Sequence, residues 1–75
     1  MRVELVTRLG CHLCDEALDR LRAMGIEPVL LDVDADAELS RLYDWRVPVL
    51  IVGGEVLAEG KIDAVALSRL NRTLS

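Results

Sequence analysis

Gly10-Cys11-His12-Leu13-Cys14 contains both cysteines of the chain, in the spacing that thiol chemistry needs. Residues i and i+3 of a helical turn have neighbouring Cβ atoms, so two cysteines placed there reach disulfide distance without moving the backbone. The attacking species in disulfide exchange is a thiolate. The free N–H groups and positive dipole end of a helix N-terminus stabilise that anion and lower the thiol pKa. A helix beginning at this motif would leave Cys11 at its exposed loop end. Cys14 would lie a turn inside, on an apolar stripe with Ala17 and Leu18. That asymmetry makes Cys11 the expected attacking thiol and Cys14 the expected resolving thiol.

Two neighbours bear on thiolate formation. An imidazole at His12, beside Cys11, would favour the thiolate; its bland counterpart is an exposed loop side chain. Arg8, three residues before Cys11, could act as a fixed cation for the thiolate or for an anionic substrate, or serve as a surface arginine flanking a strand. Zinc is the competing chemistry for the cysteine pair. A closed structural site takes four ligands, and His12, set between the cysteines, is badly placed to close a ring with both. A metal site shared across a dimer and a redox-silent cysteine pair stay open as alternatives. Val47-Pro48 is the other notable feature. Proline cannot donate to a sheet ladder, so it marks an edge, a strand start or a bulge. Only about 5–6% of X–Pro bonds in folded proteins are cis, so residue physics alone makes this bond trans.

Periodicity supplies the elements that must position these groups. Residues 2–7 alternate, with Val3 and Leu5 on one face, as a strand with one face on a core. Cys14, Ala17, Leu18, Leu21 and Met24 fall on one helical stripe, with Asp15 and Glu16 complementing the helix dipole and Gly25 as a stop. Residues 29–33, after Pro28, read as a second strand whose continuous hydrophobicity fits cover on both faces. Asp34 and Asp36 offer caps for a short helix over residues 36–44, and residues 47–52 form the third strand. Gly53-Gly54 fits a tight hairpin into a fourth strand at 55–58, and Ile62, Val65, Ala66, Leu70 and Leu74 mark a last helix. Tyr43 and Trp45 flank the end of the short helix near Arg46; Trp45 could line a substrate groove beside Pro48, but is expected rather to close the core there. Asp32, Asp34 and Asp36 alternate along the second strand and its loop, which capping and solvation explain without a cation site. The predicted order β-α-β-α-β-β-α joins parallel crossovers to an antiparallel hairpin, giving a mixed four-stranded sheet flanked by helices.

Composition limits the function classes. With 75 residues the chain has room for one core. Hydrophobic residues make up 52% and charged residues 29%, which fits an aliphatic globular domain and excludes disorder. A net charge of −4, with scattered basic residues, speaks against nucleic-acid binding. No apolar run approaches the roughly 20 residues of a bilayer span, and the opening residues lack the long apolar stretch of a signal peptide. A cytoplasmic monomer with no membrane or nucleic-acid partner is expected, and in that reducing setting a cysteine pair reads as redox or metal chemistry.

The chain resembles the glutaredoxin branch of the thioredoxin superfamily, and is most similar to short bacterial glutaredoxin-like proteins with a Cys-His-Leu-Cys type motif. The likeness covers essentially residues 1–75 as one thioredoxin-fold domain of α/β class. It rests on Thr7-Arg-Leu-Gly-Cys-His-Leu-Cys14, Arg46-Val-Pro-Val49 and Gly53-Gly54. It implies a thiol–disulfide oxidoreductase with Cys11 and Cys14 as catalytic residues and a site role for Arg8 beside the thiolate, while His12 is expected to tune the thiolate from its own place next to Cys11. Leu13, Arg46, Val47 and Pro48 would contact substrate. It also implies that Pro48 is cis and faces the disulfide, and that the Val47 backbone pairs with an extended substrate. Substrates would be disulfide-containing proteins or small molecules. Electrons would come from glutathione as co-substrate or from a thioredoxin-reductase-like flavoenzyme, with no tightly bound cofactor and no metal. The chain also departs from the pattern. His12-Leu13 replaces the usual Pro-Tyr or Pro-Phe, and Arg46 replaces a threonine. Residues 59–63 keep Gly60 and Asp63 of the glutamyl-binding stretch but lose the rest, and Lys61 there reads as a solvated side chain. A redox-inactive peptide-binding module and a metal carrier using the cysteine pair are the alternatives.

Overall fold

The computed structural model describes residues 1–74; Ser75, the last residue of the expected domain, lies outside the described residues. The elements run β1 (Val3–Thr7), α1 (His12–Ala23), β2 (Val29–Asp32), a 3-10 turn (Val33–Ala35), α2 (Ala37–Tyr43), β3 (Val49–Val52), β4 (Glu55–Glu59) and α3 (Ala64–Leu74). The sheet order is β2-β1-β3-β4, with β1 parallel to β2 and antiparallel to β3, and β4 antiparallel to β3. The expected mixed sheet flanked by helices is what the chain forms.

Leu5 and Val6 are both fully buried because β1 lies in the middle of the sheet with cover on each side. Leu5 joins Leu21, Leu50 and Leu70 under α1 and α3, whereas Val6 joins Val33, Val49 and Ile51 on the face toward α2. The expectation of one buried face for this strand is therefore corrected. The cover predicted for β2 is corrected in the opposite sense. It is an edge strand, with Val29 43% and Leu30 48% exposed. A run of apolar residues does not distinguish a central strand from an edge strand, since that depends on which neighbour arrives from elsewhere in the chain. The four residues of β3 are all buried, and Pro48 sits just before them, where its missing donor costs no ladder bond.

Local chemistry explains the element boundaries. Asp36 caps α2, its Oδ1 accepting from the Glu38 and Leu39 N–H groups at 2.8 and 3.1 Å, and Asp32 accepts from the Asp34 N–H at 2.9 Å. Gly53 and Gly54 take φ of 60° and 85°, the pair of positive values that a two-residue hairpin requires. Ile62, 2% exposed, is a core anchor ahead of α3, whose first turn is capped by Asp63 through Ala66 N–H at 3.2 Å. No helix among the described residues is long and apolar enough to cross a membrane.

Candidate active site

β1 carries the chain to one end of the sheet, and the short loop after Thr7 turns it into α1. Cys11 is the N-cap of α1, with extended backbone (φ −84°, ψ 109°), and its Sγ accepts from the Cys14 N–H at 3.2 Å. Gly10, at φ 78°, and the Cys11 N–H bond to the Arg8 carbonyl at 3.1 Å shape the turn. Cys11 and Cys14 form a disulfide with their Cα atoms 5.2 Å apart. Cys14 is only 2% exposed, on the buried stripe of α1 with Ala17 and Leu21, while Cys11 is half-buried. An outward and an inward sulfur thus share one turn, with a backbone donor and the positive end of the helix at the outward one.

Pro48 follows a cis Val47–Pro48 bond and is buried. Val6 pairs with Val49, so Pro48 lies one step further along, opposite Thr7, at the sheet end from which the Cys11 loop departs. The Gly60 N–H donates to the Arg46 and Pro48 carbonyls at 3.2 and 2.9 Å, fixing this segment against the end of β4. The Val47 backbone makes no hydrogen bond among the described residues and is half-buried.

Arg8 is engaged by two aspartates. Its Nε and Nη2 donate to both carboxylate oxygens of Asp34 at 3.0 and 2.9 Å, its Nη1 donates to the Asp44 carbonyl at 3.2 Å, and Nη2 also meets Asp44 Oδ1. The guanidinium ties the Cys11 loop to the 3-10 turn and to the C-terminal end of α2, which leads to Pro48. These hydrogen bonds, first Asp34 and then Asp44, raise the Arg8 pKa further, and Arg8 in turn holds the Asp34 carboxyl below its ordinary value. His12 is exposed, with Nε2 3.3 Å from Glu16 one turn along α1. Leu13 is 38% exposed. Arg46 donates from Nε to Glu59 at 2.6 Å and from Nη1 to the Leu42 carbonyl at 3.2 Å, with its guanidinium carbon 5.2 Å from the Tyr43 ring centre. Lys61 is exposed and makes no ion pair among the described residues.

Two large apolar side chains at this end are exposed. Trp45 is 93% exposed, so the expectation that it closes the core is corrected; Tyr43 packs inward instead. Leu9, in the loop before Cys11, is 96% exposed. Leu9 lies in no element with a period, so no pattern pointed to it; an apolar residue inside a loop flanking a cysteine pair was the available signal. A cavity of about 310 Å³ opens beside Cys14, between α1 and the β2 edge. Among the described residues, no group of three or more His, Cys, Asp or Glu side chains is gathered to hold a metal ion.

The Arg8–Asp34 pair leads to a pH prediction. Because the Asp34 carboxyl is depressed in the folded state, its stabilising contribution is present above the ordinary carboxyl pKa of about 4 and is lost as pH falls through the lower folded value. Urea midpoints of the wild type should fall more steeply below about pH 4 than those of Asp34→Asn. Parallel falls would show that the pair adds nothing to folding.

The glutaredoxin-like domain model (DUF836) matches residues 2–75. No curated protein matches the chain. Among solved structures, target protein XcR50 from X. campestris is 34% identical with a TM-score of 0.80, over 95% of this chain and 96% of that one. Protein Ne2328 from Nitrosomonas europaea is 31% identical with a TM-score of 0.77, over 92% of this chain and 88% of that one. The thioredoxin-like protein BC3987 is 27% identical with a TM-score of 0.73, over 92% of this chain and 99% of that one. A thioredoxin-like fold with a Cys-x-x-Cys pair at the start of α1 supports a redox-type role. With residues 2–75 matched to one family model and the same fold in these structures, the chain belongs to the glutaredoxin-like domain family.

Proposed function

We propose that the chain is a thiol–disulfide oxidoreductase that reduces disulfides in proteins or small molecules through a mixed disulfide on Cys11. The observation that carries this reading is Cys11 as the N-cap of α1, its Sγ facing the Cys14 N–H and joined to the buried Cys14 sulfur. In the reduced form the same N–H and the helix dipole favour the Cys11 thiolate. That thiolate attacks one sulfur of the substrate, breaking the substrate S–S bond and forming a Cys11 mixed disulfide; the departing thiolate takes a proton from water. Cys14 then loses its proton and attacks Cys11 Sγ, re-forming the Cys11–Cys14 disulfide and expelling the second substrate thiolate, which is protonated in turn. The substrate gains two electrons and two protons, and the cysteine pair is oxidised. Glutathione or a thioredoxin-reductase-like flavoenzyme then returns two electrons, with a cytoplasmic setting keeping the pair reduced.

The remaining residues have supporting roles in this proposal. The unpaired backbone of Val47, presented beside Pro48, suits an extended substrate strand. Leu13 offers partly exposed apolar surface next to Cys11. Arg46, held by Glu59, borders the same segment. Arg8 acts by holding the Cys11 loop to the segment before Pro48, and His12 modulates the thiolate from outside.

Alkylation of the dithiol form tests the chemistry. Cys11 should react with iodoacetamide with a midpoint well below the value of about 8.5 for a free thiol, while native Cys14 stays unmodified. Two thiols that stay inert to neutral pH and titrate like free cysteine would leave a redox-inactive peptide-binding module as the better account.

A further inference from the structure

The cavity beside Cys14 has a composition suited to one kind of ligand. Leu18 of α1 and Leu30 of β2 line its apolar walls, and Asp15 and Asp32 place carboxylates at its border. A long side chain with an aliphatic stem and a cationic head matches that combination, since lysine and arginine bury their methylenes while keeping the charge at a polar rim. The Asp15 carboxylate makes no hydrogen bond or ion pair among the described residues, its backbone N–H being engaged with the Cys11 carbonyl at 3.1 Å, and Asp32 uses one oxygen to accept from the Asp34 N–H, leaving its other oxygen open. Arg8 also borders the cavity, but its charge is already met by Asp34 and Asp44. Lys61 follows β4, at the opposite edge of the sheet from β2. An anionic ligand would therefore find no unpaired cation at this cavity. Beside it, the Arg8–Asp44 contact brings the loop bearing Leu9 next to the turn bearing Trp45, both almost fully exposed. Exposed apolar side chains of this size flanking a reactive centre mark contact with a polypeptide.

We infer that this cavity seats a lysine or arginine side chain near the cysteine of a polypeptide disulfide, so that the protein selects basic polypeptides over glutathione. The inference rests on the oxidoreductase reading and names its substrate class. During the mixed-disulfide step, the seated side chain would hold the substrate beside Cys11 and Cys14 while Leu9 and Trp45 cover the neighbouring chain. Oxidised glutathione carries more carboxylates than ammonium groups and is disfavoured at the Asp15–Asp32 rim.

The test is single-turnover oxidation of the protein after reduction with dithiothreitol and desalting. Three probes are compared: oxidised glutathione and two disulfide-linked peptide homodimers differing only in Lys or Gln two positions from cysteine. Each rate is normalised to that probe's rate with free dithiothreitol, removing differences in intrinsic reactivity. The Lys peptide should react about tenfold faster than the Gln peptide at low salt and faster still than glutathione, with the advantage shrinking as salt rises. Asp15→Asn should reduce the Lys/Gln ratio severalfold, whereas Glu27→Gln, the same charge change in the loop between the C-terminal end of α1 and β2, should leave it unchanged. Equal normalised rates for all three probes would overturn the inference and leave the oxidoreductase reading intact. An equal loss of ratio in Glu27→Gln would also overturn it, by assigning the preference to net charge. Absence of oxidation by every probe would remove both.

Discussion

Cys11→Ser should abolish exchange, whereas Cys14→Ser should stop it halfway. Challenged with an uncharged small disulfide such as hydroxyethyl disulfide, the wild-type dithiol should become the Cys11–Cys14 disulfide. Cys11→Ser keeps only the 2% exposed sulfur on the packed stripe of α1, which substrate reaches poorly, and a serine hydroxyl at the N-cap does not replace a thiolate as nucleophile. Its exchange should fall to background, a loss of at least about a thousandfold if the helix terminus activates Cys11 as the N-cap geometry implies. Serine is a good N-cap, so the helix itself should survive. Cys14→Ser retains the outward sulfur and the N–H that faces it, so its first step should proceed near the wild-type rate. With no second thiol, it should accumulate one equivalent of mixed disulfide, visible as an added mass that dithiothreitol removes. The opposite pattern, with Cys11→Ser active and Cys14→Ser inert, would reverse the assigned roles. The buried position of Cys14 makes that reversal costly in geometric terms, because substrate would have to displace the turn that covers it.

The parts of this site that were legible in the sequence are those built from local rules. The Cys-x-x-Cys spacing, the helix that opens on it, the Asp36 cap and the Gly53-Gly54 hairpin each follow from a few adjacent residues, and the chain forms all of them. The cis bond before Pro48 follows no local rule; it was expected only through resemblance. What escaped depends on partners distant in sequence. Strand cover was exchanged between β1 and β2 because sheet order, not hydrophobic content, decides which strand lies inside. Arg8 finds Asp34 and Asp44, 26 and 36 residues away, and no pattern around Arg8 foretells either. Trp45 illustrates the limit of assuming that large apolar residues are interior. It lies in the turn after α2, whereas Tyr43 and Leu39 of that helix pack, partly buried, against the core. Deviations of this kind gather at the end of the sheet where the cysteines are, as expected where sequence is shaped by recognition as well as by folding.

Leu21→Ala should cost about 3 kcal/mol of folding stability, the largest packing effect expected of a single helix substitution near the site. Leu21 is fully buried and packs in the same cluster as Leu5, Leu50 and Leu70, the contact that seats α1 on the sheet. Truncating a buried leucine removes its transfer free energy and leaves a cavity, for a measured range of about 2–5 kcal/mol. A chain of this length has roughly 4–11 kcal/mol in total, so this substitution consumes a large fraction of it. The melting midpoint should drop by roughly 12–24 °C. Alanine keeps helix propensity, so the loss isolates packing from helix formation. Val65→Ala, at a position 64% exposed on α3, is the matched control and should stay within about 0.5 kcal/mol of wild type. Below the midpoint, the folded variant should still protect Cys14 from alkylation, because Ala17 and the Arg20 Nη1 bond to the Ile62 carbonyl at 2.8 Å continue to hold α1. If the two variants melt together, α1 is not anchored through Leu21. The inward position of Cys14 would then owe its protection to the disulfide turn alone, and reduction should expose it.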